Sequence, residues 1–189
     1  MEHTISGLQC QSDYLNAAQQ QHLLTVIDDQ HWLSDLKRRV QQYGYRYDYA
    51  NRHAGIESYL GPLPEWAASL AQQLLRDGHC DQIPDQVIVN EYLPGQGIAG
   101  HVDCVPCFGD TVLSLSLAAS CVMVFKHLQT AATVPVLLEP GSLLVMRGEA
   151  HYQWKHGIPS RKSDLYEGRT IQRLRRVSIT LRTIATQPA

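Results

Sequence analysis

From residue 86 onward, apolar residues recur at about every second position in short runs: QVIVNEY, GHVDC, TVLSLSL, CVMVFKH, VPVLLEP, SLLVMRG, HYQWKH and RVSITLRTI. Period two is the repeat of a strand with one face turned inward. Gly95, Gly97, Gly109, Pro140, Gly141, Gly148 and Gly157 separate many of these runs. About eight short strands with Gly/Pro turns predict a double-sheet jelly roll. The first third of the chain follows the helical period instead. Asn16-Ala17-Ala18-Gln19 has the form of a capping box, and Ala17, Leu23, Leu24 and Ile27 can share one face of the following helix. A second helix is predicted from Pro64, where the missing N–H costs nothing, to Gly78, with Ala67, Leu70, Ala71, Leu74 and Leu75 as its apolar stripe. Between the helices, VQQYGYRYDYANRHAG reads as a ribbon or long loop.

Helices first and strands afterwards give an α+β domain: a jelly roll (double-stranded β-helix) with N-terminal helices packed on one sheet. The 189 residues read as one domain, with a helical part over about 1–85 and a core over about 86–184. An apolar content of 44% and a charged content of 18% describe an ordinary globular protein. No apolar run approaches the roughly 20 residues of a membrane span. The start, MEHTISGLQC, lacks the basic-then-apolar order of a secretory signal. Five cysteines (Cys10, Cys80, Cys104, Cys107 and Cys121) form no regular framework, so reduced thiols and a cytoplasmic location are expected.

The net charge of −2 hides a division along the chain. Residues 1–154 hold 8 Lys/Arg against 16 Asp/Glu, whereas residues 155–189 hold 8 against 2. Such polarity can build one basic face for phosphates. The plainer account makes two of those arginines site residues and leaves the others solvated.

Three spacings carry candidate chemistry. His101-Val102-Asp103 places an imidazole and a carboxylate on one face of a strand, where both can reach one ion. A third ligand must come from elsewhere, and His151 and His156 are the candidates. They lie five apart, so on an unbroken strand only one of them looks inward. Two histidines and a carboxylate suit a ferrous ion that keeps positions open. Arg176-Val-Ser-Ile-Thr-Leu-Arg182 alternates an apolar face with Arg, Ser, Thr and Arg. That polar face is either a solvated edge or, turned inward, a clamp for an acidic cosubstrate. In the clamp, Arg176 holds the distal carboxylate and Arg182 approaches the metal end. Asn90 and Tyr92 share a strand face and could orient the same acid.

Other features are open to more than one reading. Cys104-Val-Pro-Cys107 could be half a zinc site, a redox pair or simply the rim of the site. Tyr43, Tyr45, Tyr47 and Tyr49 alternate and would stripe one strand face, either stacking on a splayed nucleotide or packing on the sheet. Arg46, Arg52 and Lys37-Arg38-Arg39 could add phosphate contacts, the latter run reading otherwise as exposed helix charge.

Taken together, NEYLPGQGIAGHVD, SLSLAASCVMVFKH, GSLLVMRGEAHYQWKHGI and RVSITLR resemble the AlkB family of iron(II)/2-oxoglutarate dioxygenases over about residues 86–184. Within it, the LPGQGI and LLVMRGEA stretches are most similar to the oxygenase domain of the member that hydroxylates tRNA wobble uridines. The resemblance implies that His101, Asp103 and His156 hold iron(II), which selects His156 over His151. It implies that Arg176 and Arg182 bind 2-oxoglutarate with help from Asn90 and Tyr92. Ser178 stands where some members have asparagine, and His151 where the family often has arginine. The implied reaction uses dioxygen, converts 2-oxoglutarate to succinate and carbon dioxide, and hydroxylates a C–H bond. An N-methyl target then loses formaldehyde, whereas a carbon target becomes a stable alcohol. The expected substrate is a modified base in RNA or DNA. The alternatives are a protein substrate with the same chemistry, or a cupin-like barrel that binds a metal or a small acid without catalysis.

Overall fold

The period-two runs fold as strands around two apolar layers. The computed structural model describes residues 5–34 and 36–185; residues 1–4 of the N-terminal stretch, residue 35 and residues 186–189 lie outside it. Its elements are β1 (Leu8–Gln11), α1 (Ala17–Asp28), β2 (Arg39–Tyr43), α2 (Glu65–Arg76), β3 (Gln86–Tyr92), β4 (Ile98–His101), β5 (Val112–Leu117), β6 (Cys121–His127), β7 (Thr133–Leu138), β8 (Leu143–Met146), α3 (Gly148–Tyr152), β9 (Trp154–Ile158), β10 (Ser163–Tyr166), β11 (Arg169–Gln172) and β12 (Arg176–Arg182). A major sheet runs β1-β8-β5-β12-β3-β2 and a minor sheet β4-β9-β6-β7, with β10-β11 as a separate hairpin. The eight core strands thus divide four and four, and β1 and β2 widen the major sheet from the part of the chain read as helical.

β12 shows why the sheets stack this way. Val177, Ile179 and Leu181 are fully buried in one cluster with Leu23 and Ile27 of α1 and with Ala67, Leu70, Ala71 and Leu74 of α2. Each large apolar side chain moved out of water there contributes about 1.5–3 kcal/mol. The helices therefore cover one face of the major sheet. The opposite face, with Val112, Leu144 and Met146, packs on Met123, Phe125 and Ile158 of the minor sheet. Between the two sheets sits the polar face of β12. The solvated-edge reading of this strand fails: it lies in the middle of the major sheet, paired to β3 and β5.

The capping box forms as read: Asn16 Oδ1 accepts from Gln19 N at 2.9 Å, and Gln19 Oε1 accepts from Asn16 N at 2.9 Å. Ala17, however, is exposed, and the buried stripe of α1 begins nearly two turns later at Leu23. Asn16→Ala should lower stability by about 1 kcal/mol, read as a lower urea midpoint with an unchanged slope.

Several expectations need correction. HYQWKH is not one strand: α3 takes up residues 148–152, and the strand starts at Trp154. Gly157 lies inside β9 rather than in a turn, so His156 is not at a strand end. The tyrosines share no common face, since β2 ends at Tyr43. Tyr43 packs edge-on against Trp66 and Tyr45 against Tyr59, while Tyr47 meets Tyr49 and Phe108. Lys37-Arg38-Arg39 is not helical; it leads into β2, and Arg39 pairs with Glu91 at 2.7 Å. Cys104 and Cys107 are joined as a disulfide across a turn with Cα atoms 5.2 Å apart, within the range such a bond needs, so this pair departs from the expectation of reduced thiols. Cys10, Cys80 and Cys121 are free.

The basic C-terminal part does not make a single face either. Arg173 is buried against Asp164, donating from Nε at 2.6 Å and Nη2 at 2.8 Å, and Arg161 Nε reaches the same carboxylate at 2.6 Å. Arg175 pairs with Glu91 and Asp28. Arg176 and Arg182 point between the sheets. Most of those arginines thus pair with carboxylates of the fold or point between the sheets instead of forming one basic face. Among the described residues, no helix is long and apolar enough to cross a membrane.

Candidate metal and cosubstrate site

The antiparallel register of β4 on β9 sets His101 directly opposite His156, and their ring centroids lie 4.5 Å apart. Asp103 arrives differently from the sequence expectation. β4 ends at His101 after a register shift, and Asp103 lies beyond it at the start of the turn closed by Cys104 and Cys107. Its Oδ1 is nevertheless 3.7 Å from His101 Nε2. One ligand atom from each of His101, Asp103 and His156 fits within 4.8 Å of the other two, and no other group of three or more such residues does so among the described residues.

The protonation states suit a cation. His101 Nδ1 lies 2.9 Å from the carbonyl of Ala99, so a neutral ring donates there and keeps its Nε2 lone pair free. Burial pushes His156 down to about 4, against the pull of Asp103, so its imidazole is neutral at ordinary pH. Burial alone would raise Asp103, but the Arg182 guanidinium and the nearby histidines hold it at about 2, so it is anionic. Asp103 Oδ2 and His156 Nδ1 are buried without a hydrogen-bond partner. Buried polar atoms are normally satisfied, and a cation bridging these groups accounts for the exception. The donor set, two imidazoles and one carboxylate, fits iron(II).

His151 is excluded by position rather than by strand parity. It sits on α3, buried, with Nδ1 3.1 Å from the carbonyl of Asp110 and its ring stacked on Tyr152 at 4.3 Å. It is not a member of the three-atom cluster.

Arg176, Ser178, Thr180 and Arg182 all line the cavity that holds the triad, together with Asn90 and Tyr92. Pairing explains the convergence: Arg176 is opposite Tyr92 and Ser178 opposite Asn90. Arg176 is 2% exposed, and only its Nη2 has a protein partner, Ser116 Oγ at 2.8 Å, while Nε and Nη1 have none. A buried guanidinium with free donors is a ready receptor for a carboxylate. Arg182 donates from Nη2 to Asp103 Oδ1 at 3.0 Å, which places it at the metal end, and its Cζ lies 4.6 Å from the centre of the Phe108 ring.

Two contributors to the site were not read as such from sequence. Ser116 belongs to the polar alternation of TVLSLSL and could have been read from that period. Arg38 reads only within the Lys37-Arg38-Arg39 run, as a phosphate contact or as helix charge, and nothing in that run signals a contact with Asn90. Its Nε donates to Asn90 Oδ1 at 2.8 Å, and its Cζ lies 5.7 Å from the Tyr49 ring and 5.9 Å from the Tyr92 ring. Because Arg38 occupies the Asn90 oxygen, the amide nitrogen is left to donate. Arg38 also lies where the cavity opens into an outer groove lined by Lys37, Arg52, Tyr47, Tyr49 and Phe108. Arg46 does not line that groove.

Residues 7–182 match the family model described as the 2OG-Fe(II) oxygenase superfamily. An alkylated DNA repair protein ALKBH8 homolog from Arabidopsis thaliana is 35% identical over 99% of this chain and 61% of its own length. The tRNA (carboxymethyluridine(34)-5-O)-methyltransferase alkbh8 of Xenopus tropicalis is 39% identical over 87% of this chain but only 27% of its own length. The chain therefore spans less than two thirds of either relative. The solved structure of OsALKBH1 has the same fold, with a TM-score of 0.70 at 16% identity, covering 96% of this chain and 99% of that one. The jelly roll, the His/Asp/His cluster and these matches place the chain in the 2OG-Fe(II) oxygenase superfamily, among its AlkB-like members, as an iron(II)- and 2-oxoglutarate-dependent dioxygenase.

Proposed function

We propose that the chain hydroxylates or oxidatively demethylates a modified base in nucleic acid, with His101, Asp103 and His156 as iron ligands and Arg176, Arg182, Asn90 and Tyr92 as the 2-oxoglutarate contacts. The observation that carries the substrate reading is the outer groove: Lys37, Arg38 and Arg52 bring cations, and the half-buried Tyr47 and Tyr49 bring rings, around the opening above the His/Asp/His cluster. Cations that meet phosphates and aromatic faces that stack on bases are the two parts of a single-strand site. The names of the two curated relatives, one for alkylated DNA repair and one for tRNA, point the same way.

When bound, iron(II) with 2-oxoglutarate and dioxygen supplies the oxidising power to hydroxylate a C–H bond, releasing succinate and carbon dioxide. The chain's own residues position the reactants. His101 is fixed in one tautomer by Ala99, and Asp103 is held anionic and oriented by Arg182. Arg176, steadied by Ser116, takes the distal carboxylate in a buried site where charge pairing is strong. Arg38 occupies the Asn90 side-chain oxygen, which leaves the NH2 as the group that would donate to the acid. Met123, Met146, Ile88 and Val112 line the same cavity and keep the reacting centre away from bulk water.

The test measures succinate formed from 2-oxoglutarate with and without modified oligonucleotides. Succinate production should rise several-fold with the true substrate, and oligonucleotide binding should weaken steeply with salt as phosphate contacts release counterions. Formaldehyde would identify an N-methyl target and a stable alcohol a carbon target. Salt-insensitive or absent binding, with stimulation by a peptide instead, would transfer the assignment to a protein substrate.

A further inference from the structure

On the outer face of the minor sheet, the β6–β9 register puts Lys126 directly opposite Lys155. Both are exposed, and among the described residues neither ammonium has a carboxylate within ion-pairing distance. Like charges facing each other across a strand pair repel and destabilise the sheet. Here they flank a shallow groove whose floor includes Gly100 and Gly157. Gly157 has no freedom to carry a side chain, since an added Cβ would stand 2.8 Å from the Gly100 backbone. The Gly100 backbone fills the space over Gly157, and Gly100 itself, whose added Cβ would meet only the Lys155 Cβ at 3.8 Å, leaves the groove open beside the two cations. Ile98 and Ala99, on the edge strand β4, line both this groove and the mouth of the active site, so the two lie on either side of one strand edge.

We infer that this face binds the sugar-phosphate backbone of the strand that carries the target base, beyond the nucleotide at the mouth. The inference rests on the nucleic-acid reading above and extends it to a second contact region. A phosphodiester relieves the repulsion between the paired lysines and can approach closely where Gly100 leaves no side chain in the way. A path from Lys37, Arg38 and Arg52 across Ala99 to Lys126 and Lys155 lets one single strand use both regions. RNA and DNA share this backbone chemistry. The base at the mouth, rather than the lysine pair, would discriminate between them.

The test uses the full chain with Mn(II) and 2-oxoglutarate, and compares wild type with a Lys126→Gln/Lys155→Gln double variant. The probes are fluorescein-labelled single strands of mixed sequence, RNA and DNA, each as a trimer and as a 15-mer. For the 15-mers, the slope of log affinity against log salt should fall by about 1.4 in the variant, two single-strand phosphate contacts at about 0.7 each. Trimer binding, 2-oxoglutarate turnover without nucleic acid and the melting temperature should not fall. An unchanged 15-mer slope in the variant, with tight wild-type binding, overturns the extended track but leaves the nucleic-acid reading intact. If neither wild-type length binds, both readings are overturned. Equal loss for trimer and 15-mer also overturns the inference, since the lysines would then act at the mouth or through the fold.

Discussion

His101→Ala should reduce both metal binding and 2-oxoglutarate turnover by more than about 100-fold, since even partners outside the coordination sphere are worth 10–100-fold in metal affinity. His101 is the cleanest member of the cluster to remove. It ends β4, its side chain is 30% exposed, and its backbone pairing does not depend on the ring. Truncating it opens no core cavity, so the variant should melt near the wild-type temperature. His156 is a poorer choice, because it is buried beside Phe125 at 5.9 Å and its loss would also leave a void in the sheet interface. Asp103 is poorer still: its removal strands the Arg182 guanidinium that it now neutralises. The measurement is anaerobic titration with iron(II) or Mn(II), followed by succinate release without added substrate. Normal turnover in His101→Ala would remove His101 from the proposed ligand set. The same result with retained metal affinity would point the metal elsewhere.

The legible and illegible parts of this site differ in the range of the interactions that fix them. β12 could be read from its own seven residues because alternation is local: Val177, Ile179 and Leu181 must go one way, so Arg176, Ser178, Thr180 and Arg182 go the other. Whether that polar face meets solvent or an interior depends on which strands flank it, and no local pattern reports that. The choice between His151 and His156 illustrates the limit again. Strand parity allowed only one of them, but the residues between them form α3 and the start of β9, so parity does not govern which one faces the cluster. Asp103 reaches the cluster through a turn rather than a strand face, and Arg38 through a loop contact across 52 positions of sequence to Asn90. The tyrosine stripe failed because Tyr43 ends β2, after which Tyr43 goes to Trp66, Tyr45 to Tyr59, and Tyr47 and Tyr49 to each other beside Phe108. Charge counting failed for a related reason. Arg173 and Arg175 answer carboxylates at Asp164, Glu91 and Asp28, which only the fold brings within reach.

Arg176→Met should separate function from stability in opposite directions. Arg176 is a buried cation whose Nε and Nη1 have no protein partner and whose nearest support is a neutral hydroxyl, Ser116. Its Cζ lies 5.6 Å from the centre of the Tyr92 ring, which gives a modest cation–π contribution. Holding a guanidinium there without a counter-anion is unfavourable, whereas an apolar side chain of similar length suits the surrounding layer of Tyr92, Val112 and Met123. In the absence of 2-oxoglutarate, the variant should therefore melt at the same temperature as wild type or higher. With 2-oxoglutarate the order reverses. Losing a buried, hydrogen-bonded charge pair costs about 3 kcal/mol or more, on the order of a 100-fold rise in the concentration needed to half-saturate the site. Wild type should gain thermal stability as 2-oxoglutarate and Mn(II) are added, by the mass action of ligand on the folded state, and the variant should gain little at the same concentrations. Paired melting curves with and without the acid read both effects in one experiment. A variant that is destabilised without ligand yet binds 2-oxoglutarate normally would make Arg176 a structural cation and leave the distal carboxylate to another donor. A variant that is stable without ligand and indifferent to 2-oxoglutarate is the outcome expected of a residue kept at the expense of stability for the anion it receives.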